Sequence, residues 1–382
     1  MPLIYLVAGE ASGDVLGARL IAALRGFRPD LEFAGVGGRL MAEQGVESLF
    51  PMRELALMGL LEVVPRLNHL RRRLRQTGED IARRRPAAVV TIDSPGFTVR
   101  LLKAIRTLGI PRAHYVAPQA WAWREKRVRH FPGLWESLLC LFPFEPAFFA
   151  RHGLPARFVG HPVLESGADA GDGARFRARY GIAPAAIVLT VMAGSRRTEV
   201  SRLLPVLGRT LETLAPSVPG LVPVMPVANP VADAVRAGTR GWPLCPVVIT
   251  ETTTKHDAFA ASAAALTKSG TSTLELALAG VPMAVAYRVN PLSAAIVRRL
   301  IKVRHASLLN LLSGEEIVPE FLQQSCTPAR LAAALLPLLT DPLAAAQQRR
   351  RFPAVLDTLR PAGGGHPSEA AAHAVLDLLD QA

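Results

Sequence analysis

The segment LVAGEASGD, residues 6 to 14, decides how this chain is read. An apolar run from Leu3 to Val7 stops at Gly9, and Glu10, Ser12, Gly13 and Asp14 follow at once. A buried strand that passes through glycines into an amphipathic helix is the opening unit of a parallel α/β sheet. It is not a dinucleotide fingerprint, because G-x-G-x-x-G from Gly9 would need glycine where Ala11 and Asp14 stand. No Gly-Lys-Ser/Thr follows, so it is not a P-loop either. Gly9, Gly13 and Gly17 fall on one side of the helix start, where a missing Cβ permits close approach of a ligand or of the sheet. Two acids in a turn of this shape argue against phosphate. Asp14 suits capping of the helix and its dipole, whereas Glu10, at the strand's carboxyl end, suits a substrate contact.

Outward from this unit the same alternation continues. Strands are expected at residues 4–8, 32–35, 88–93, 113–117, 138–142 and 157–160, with amphipathic helices between them, for example over 13–24 and 97–108. The stretch ESGADAGDG, residues 165 to 173, reads as a linker. A second alternating run follows, with strands expected at 187–192, 222–227, 247–250, 263–267 and 282–287. After Pro328 the pattern is helical, interrupted by PAGGG at 361–365. The expected architecture is two doubly wound α/β domains, 1–168 and 174–360, facing each other across a cleft. Ligands in such sheets bind beyond the carboxyl ends of the strands.

Bulk composition agrees. A chain of 382 residues is long for one core, and half its residues are hydrophobic, so it is globular. Its net charge of +13 calls for an anionic partner, or else reflects arginine bias on a solvated surface. Cys140, Cys245 and Cys326 are odd in number and widely spaced, with no C-x-x-C, which gives neither a disulfide framework nor a zinc site. Met1-Pro2-Leu3 lacks a charged leader, and the longest low-charge stretch, Leu214 to Ala232, is broken by five prolines. A cytoplasmic protein able to sit on a membrane surface is expected.

Four further loops carry the chemistry. VVTIDSPGF, residues 89 to 97, ends an apolar strand on Asp93 and turns at Pro95-Gly96. Asp93 is either a helix cap or a general base, and the matching position of Glu10 favours the second. HYVAPQAWAWREKRVRH, residues 114 to 130, sets two tryptophans two apart beside a basic run, which suits nucleic acid, a sugar face or a lipid interface, against plain loop packing. VMAGSRRTEV, residues 191 to 200, offers the backbone N–H groups of Gly194 and Ser195 and the Arg196 fork to a phosphate. ALTKSGTSTLELALAGVPMAV, residues 265 to 285, adds a Ser269-Gly270-Thr271 turn for a second phosphate and Glu275 for vicinal ribose hydroxyls. Together these loops describe a nucleoside diphosphate site. No D-x-D and no His/carboxylate cluster of metal spacing occurs, so no metal or other cofactor is expected, and Arg196 with helix dipoles would meet the diphosphate charge.

In this order and spacing, G-E-x-S-G-D, I-D-S-P-G-F, H-Y-V-A-P-Q-A-W-A-W-R, G-S-R-x-x-E and S-G-T-x-x-L-E resemble the lipid-A-disaccharide synthase family from Val7 to about Cys326. The resemblance implies a GT-B fold whose last helix, residues 366–382, returns to the first domain. It implies inverting transfer from UDP-2,3-diacylglucosamine to 2,3-diacylglucosamine 1-phosphate (lipid X), with Asp93 as the essential acid and Glu10 holding or assisting the acceptor. Arg196, Ser269, Gly270 and Thr271 would hold the diphosphate and Glu275 the ribose. Further substrate contacts would fall to Gly9, Ser12, Gly13, Asp14, Gln119, Trp123, Gly194, Ser195, Glu199, Tyr287, Arg288 and Asn310. A homodimer is compatible with the family.

Three departures stand out. Gly96 replaces a second acid common in the family, SLLNL at 307–311 replaces S-L-P-N-L, and Lys268 stands where a small residue is also common. Lys268 either adds charge near the phosphates or points into solvent. The basicity acquires a place as well. ELALMGLLEVVPRLNHLRRRLR, residues 54 to 75, is apolar and then arginine-rich, and Arg66 to Arg85 holds eight arginines against two acids. Such a segment suits an anionic leaflet, here the inner membrane, or else a solvated helix. A UDP-sugar 2-epimerase would share the layout but has no use for the W-A-W-R block. A nucleic-acid binder would need none of Glu10, Asp93 and Glu275, whose charge would repel phosphates, so nucleic acid is not an expected partner.

Overall fold

The computed structural model describes residues 1–55, 67–123, 125–290 and 304–380. The chain divides into two units, Met1–Pro162 with Leu359–Ala382, and Val163–Thr358. Each is built on a six-stranded, wholly parallel sheet.

In the first unit the strands are β1 (Leu3–Ala8), β2 (Glu32–Val36), β3 (Ala88–Ile92), β4 (Arg112–Tyr115), β5 (Ser137–Cys140) and β6 (Ala156–Phe158), in the order β2-β1-β3-β4-β5-β6. β1 and β3 are covered on both faces, which is why they read as unbroken apolar runs. The chain runs outward one way from β1 to β2 and the other way from β3, so the order reverses between β1 and β3. The loops leaving these two strands are those of Glu10 and Asp93, and ligands bind at such a reversal. The last helix, Pro367–Asp380, packs on the helix Ala11–Phe27, burying Ala371, Ala372, Val375 and Leu378.

In the second unit β7 (Ile187–Met192), β8 (Leu221–Pro226), β9 (Val247–Ile249), β10 (Ala264–Lys268), β11 (Met283–Tyr287) and β12 (Glu320–Leu322) lie in the order β12-β11-β10-β7-β8-β9. Here the order reverses between β7 and β10, whose loops are those of Gly194 and Ser269. β12 has no counterpart in the sequence expectations. It is three residues long, half-buried and at the sheet edge, too short for a period to register.

The stretch read as a linker is folded instead. Asp172 caps the helix Gly173–Tyr180 by accepting from Arg175 N at 2.9 Å, and Asp257 accepts from Asp172 N at 2.8 Å and from the Arg175 guanidinium. Its glycines serve close packing, since a Cβ on Gly171 would strike the His256 carbonyl.

Candidate active site

The opening loop leaves β1 at Gly9 and enters the helix Ala11–Phe27. Its glycines serve the sheet. A Cβ on Gly9 would lie 2.5 Å from Ser94 Oγ, and one on Gly13 would lie 3.3 Å from Ala8 Cβ. Asp14 is buried, and its carboxylate accepts from Gly38 N at 2.8 Å, Leu40 N at 3.0 Å and Met41 N at 3.0 Å. It therefore caps the neighbouring helix Arg39–Glu43 rather than its own. Gly9, Gly13 and Asp14, expected as substrate contacts, are engaged within the unit, the glycines in close packing and the carboxylate in capping. Ser12 is exposed in the first turn.

Asp93 follows β3 in the left-handed region, φ 50°, and Ser94 repeats it at φ 46°. Val116, directly after β4, sits at φ 76°, an outlier for a β-branched residue. Each costs about 1–3 kcal/mol and persists only where surroundings impose it. They do so here: Asp93 N donates to Tyr115 O at 2.8 Å, and Thr98 Oγ1 donates to Asp93 O at 2.8 Å. Burial raises the Asp93 carboxyl above the usual carboxylate range, opposed in part by the Ser94 N–H. Beside it a cavity of about 420 Å³ is lined by Glu10, Ser94 to Phe97, the apolar side chains Leu55, Leu70 and Leu74, and the two cations Arg71 and Arg100.

The tryptophan loop is tied down as packing. Trp121 Nε1 donates to Glu145 Oε1 at 2.9 Å and its ring stands edge-on to Phe144 at 4.9 Å. Glu145 also accepts from Leu141 N and Phe142 N at 3.0 Å each. Desolvation still pushes its carboxyl up to about 7. Gln119 is exposed at the end of this loop, while Arg124 and the side chain of Trp123 lie outside the described residues. So does the apolar part of the basic segment, residues 56–66. The described part is the helix Leu67–Arg84. Arg73 pairs with Glu54 at 2.7 Å, and Arg83 and Arg84 hold buried Asp80, so part of the charge is structural. Arg71, Arg72 and Arg75 are exposed.

In the second unit, Gly194, Ser195, Arg196, Glu199, Ser269, Gly270, Thr271 and Glu275 line one cavity of about 430 Å³. One wall is apolar, from Pro226, Val227, Ala228 and Ile249, and the other carries charge. A flat base and a diphosphate have opposite needs that these two walls match. The Gly194 loop differs from expectation in one respect. Its N–H groups are engaged by Glu199, whose Oε2 accepts from Ser195 N at 3.2 Å and Arg196 N at 3.4 Å. Gly194, at φ 104°, is required because a Cβ there would meet this carboxylate. Ser269 lines the cavity while its hydroxyl donates to the Ala306 carbonyl.

Lys255, which the sequence expectations omit, donates to Glu275 at 2.8 Å and lines the same cavity. Its signal was present: a lysine in the first turns of the helix Thr252–Ala261 opposes the helix dipole. Tyr287 lies with its ring 5.6 Å from the Lys268 ammonium, and its hydroxyl pKa is raised by burial and by Glu199. Arg288 is exposed on the strand's far end. Asn310, expected as a substrate contact, has its amide engaged within its own unit. Fully buried, it donates to Val318 O and Glu320 Oε1 and accepts from Ile317 N and Val318 N, all within 3.0 Å, which exhausts its amide. Among the described residues no group of three or more His, Cys, Asp or Glu is placed to hold a metal. Among them, too, no single helix is long and apolar enough to cross a membrane.

Residues 4–372 match the Lipid-A-disaccharide synthetase family. A lipid-A-disaccharide synthase of Granulibacter bethesdensis is 57% identical over 390 residues, covering 100% of this chain and 99% of that protein. Among solved structures, a UDP-GlcNAc 2-epimerase from Neisseria meningitidis bound to UDP-GlcNAc superposes with TM-score 0.66 at 13% identity, covering both chains fully. CalG4, the calicheamicin glycosyltransferase, superposes at 0.59 with 17% identity over 100% of this chain and 99% of that one. At such identities the structures establish the GT-B fold, which epimerases and transferases share, and the sequence match separates the two classes. The chain belongs to the lipid-A-disaccharide synthase family of glycosyltransferases.

Proposed function

We propose that the chain transfers 2,3-diacylglucosamine from UDP-2,3-diacylglucosamine to the 6-hydroxyl of lipid X, giving the β-1,6-linked disaccharide 1-phosphate and UDP with inversion. The nucleotide takes the cavity of the second unit, with Glu275 on the ribose and Arg196 on the diphosphate. The acceptor takes the first unit beside Glu10. As the acceptor oxygen attacks C1 of the donor, its proton passes to Asp93, the C1–O bond to the diphosphate breaks, and UDP leaves with the electron pair. What carries this assignment is Asp93. It is a carboxylate of raised pKa, held by two left-handed residues at the point where the sheet order reverses. A general base is served by both features, basicity and fixed position. Three side-chain cations line the nucleotide cavity, so turnover is expected to persist in EDTA. The exposed Arg71, Arg72 and Arg75 favour peripheral attachment to the anionic face of the inner membrane, measurable by sedimentation with anionic against neutral vesicles.

The test is an assay of the purified chain with both acylated sugars, read by mass spectrometry. Absence of disaccharide from the wild type removes the function. Undiminished UDP release by Asp93→Asn removes Asp93 as the base.

A further inference from the structure

Lys268 is the last residue of β10, immediately before the Ser269-Gly270-Thr271 turn. Its side chain does not run out into solvent. The ammonium lies 3.0 Å from Glu199 Oε1, 5.6 Å from the centre of the Tyr287 ring, and 3.9 Å from where a Cβ on Gly270 would stand. It is therefore folded back over the glycine of one loop and reaches the carboxylate that caps the other. Those are the two loops at which the order of the second sheet reverses.

The charges lining the cavity are Arg196, Lys255 and Lys268 against Glu199, Glu251 and Glu275. Each carboxylate has a cationic neighbour: Glu251 has Arg179 at 3.2 Å, Glu275 has Lys255 at 2.8 Å, and Glu199 has Lys268 with Arg196 further away at 3.7 Å. Removing Lys268 would leave the lining with more negative than positive charge, unsuited to a nucleoside diphosphate. An ammonium has three donors and Glu199 engages one, so a phosphate entering beside Gly270 can bind the same group.

We propose that Lys268 is a diphosphate-binding residue of the donor site, a cation set between the two loops. The proposal rests on the second-unit cavity being the UDP site. A phosphate on Lys268 competes with Glu199, which keeps its bonds to Ser195 N and Arg196 N and its pairing with Arg196. Because the diphosphate is the leaving group, the same contact strengthens as charge develops on it.

The experiment compares the full chain with Lys268→Met and Lys268→Arg, measuring affinity for UDP and for uridine by competition. Lys268→Met is expected to weaken UDP about tenfold and leave uridine unchanged, with Lys268→Arg within about threefold of wild type. In turnover, the KM for the acceptor should stay constant. Equal weakening of UDP and uridine would show a packing role against Tyr287 and overturn the proposal, as would UDP affinity indifferent to Lys268→Met. Wild-type chain that binds neither ligand would overturn the donor-site assignment itself, and this inference with it.

Discussion

The loop after β1 and the loop after β7 look alike in sequence: an apolar strand, a glycine, a carboxylate within five residues, and a helix. In the structure their carboxylates do opposite things. Asp14 turns inward and serves a neighbouring helix, bonding N–H groups 24 to 27 residues away. Glu199 turns back on its own loop and stays at the rim of a cavity. The glycines divide likewise, with Gly13 admitting the sheet and Gly194 admitting a side chain. At the sheet reversal one of these carboxylates is spent on the scaffold and the other is kept at a cavity rim. A strand–glycine–helix turn therefore fixes a place in the fold without fixing a job.

The sharpest way to break this contrast is at the proposed base of the first unit. Asp93→Asn is expected to lower kcat about 1000-fold with little change in either KM, read from steady-state assays. Its raised pKa also sets signs. Activity should climb with pH through a range above that of ordinary carboxylates. The folded state holds the Asp93 proton more tightly than the unfolded chain, so its ionisation costs stability as pH rises. Asp93→Asn should consequently melt slightly higher than wild type at neutral pH.

A second variant tests the scaffold. Asp14→Ala strands three N–H groups and should lose about 2–3 kcal/mol in urea unfolding, while the folded fraction keeps its specific activity. Lost activity at unchanged stability would make Asp14 a ligand and erase the contrast. Glu275→Gln should do the reverse, raising the donor KM about tenfold while loss of its partly buried pairing with Lys255 costs about 1 kcal/mol of stability. The smallest effect belongs to Glu145. Its folded pKa of about 7 stands above the model-peptide value of 4.5, so its contribution is intact below pH 4.5 and is lost as pH rises to about 7. Glu145→Gln should flatten the fall in melting temperature across that window.

Much of the framework was legible because parallel strands covered on both faces announce themselves as apolar runs, as at 4–8 and 187–192. The Ser269–Glu275 loop was legible because its turn and helix are local. What escaped depends on distant pairing. Asp14 reads as a cap of its own helix, yet the helix it caps begins 25 residues on. Lys255 becomes a site residue only because β9 and β10 bring its helix beside Glu275. Asn310 kept the family's polar group, but its amide is consumed by a loop closing eight residues later, which no motif records.

The returning helix has a consequence for synthesis. Pro367–Asp380 completes the first unit, burying Ala371, Val375 and Leu378 as it packs on the helix Ala11–Phe27, made more than 300 residues earlier, and on β3 to β5. The second unit, continuous from Val163 to Thr358, leaves the ribosome whole before that helix does. Domains ordinarily mature in the order of their translation. Here the order is inverted: the half that emerges first must wait, its apolar helix face uncovered, until Pro367–Asp380 has been made.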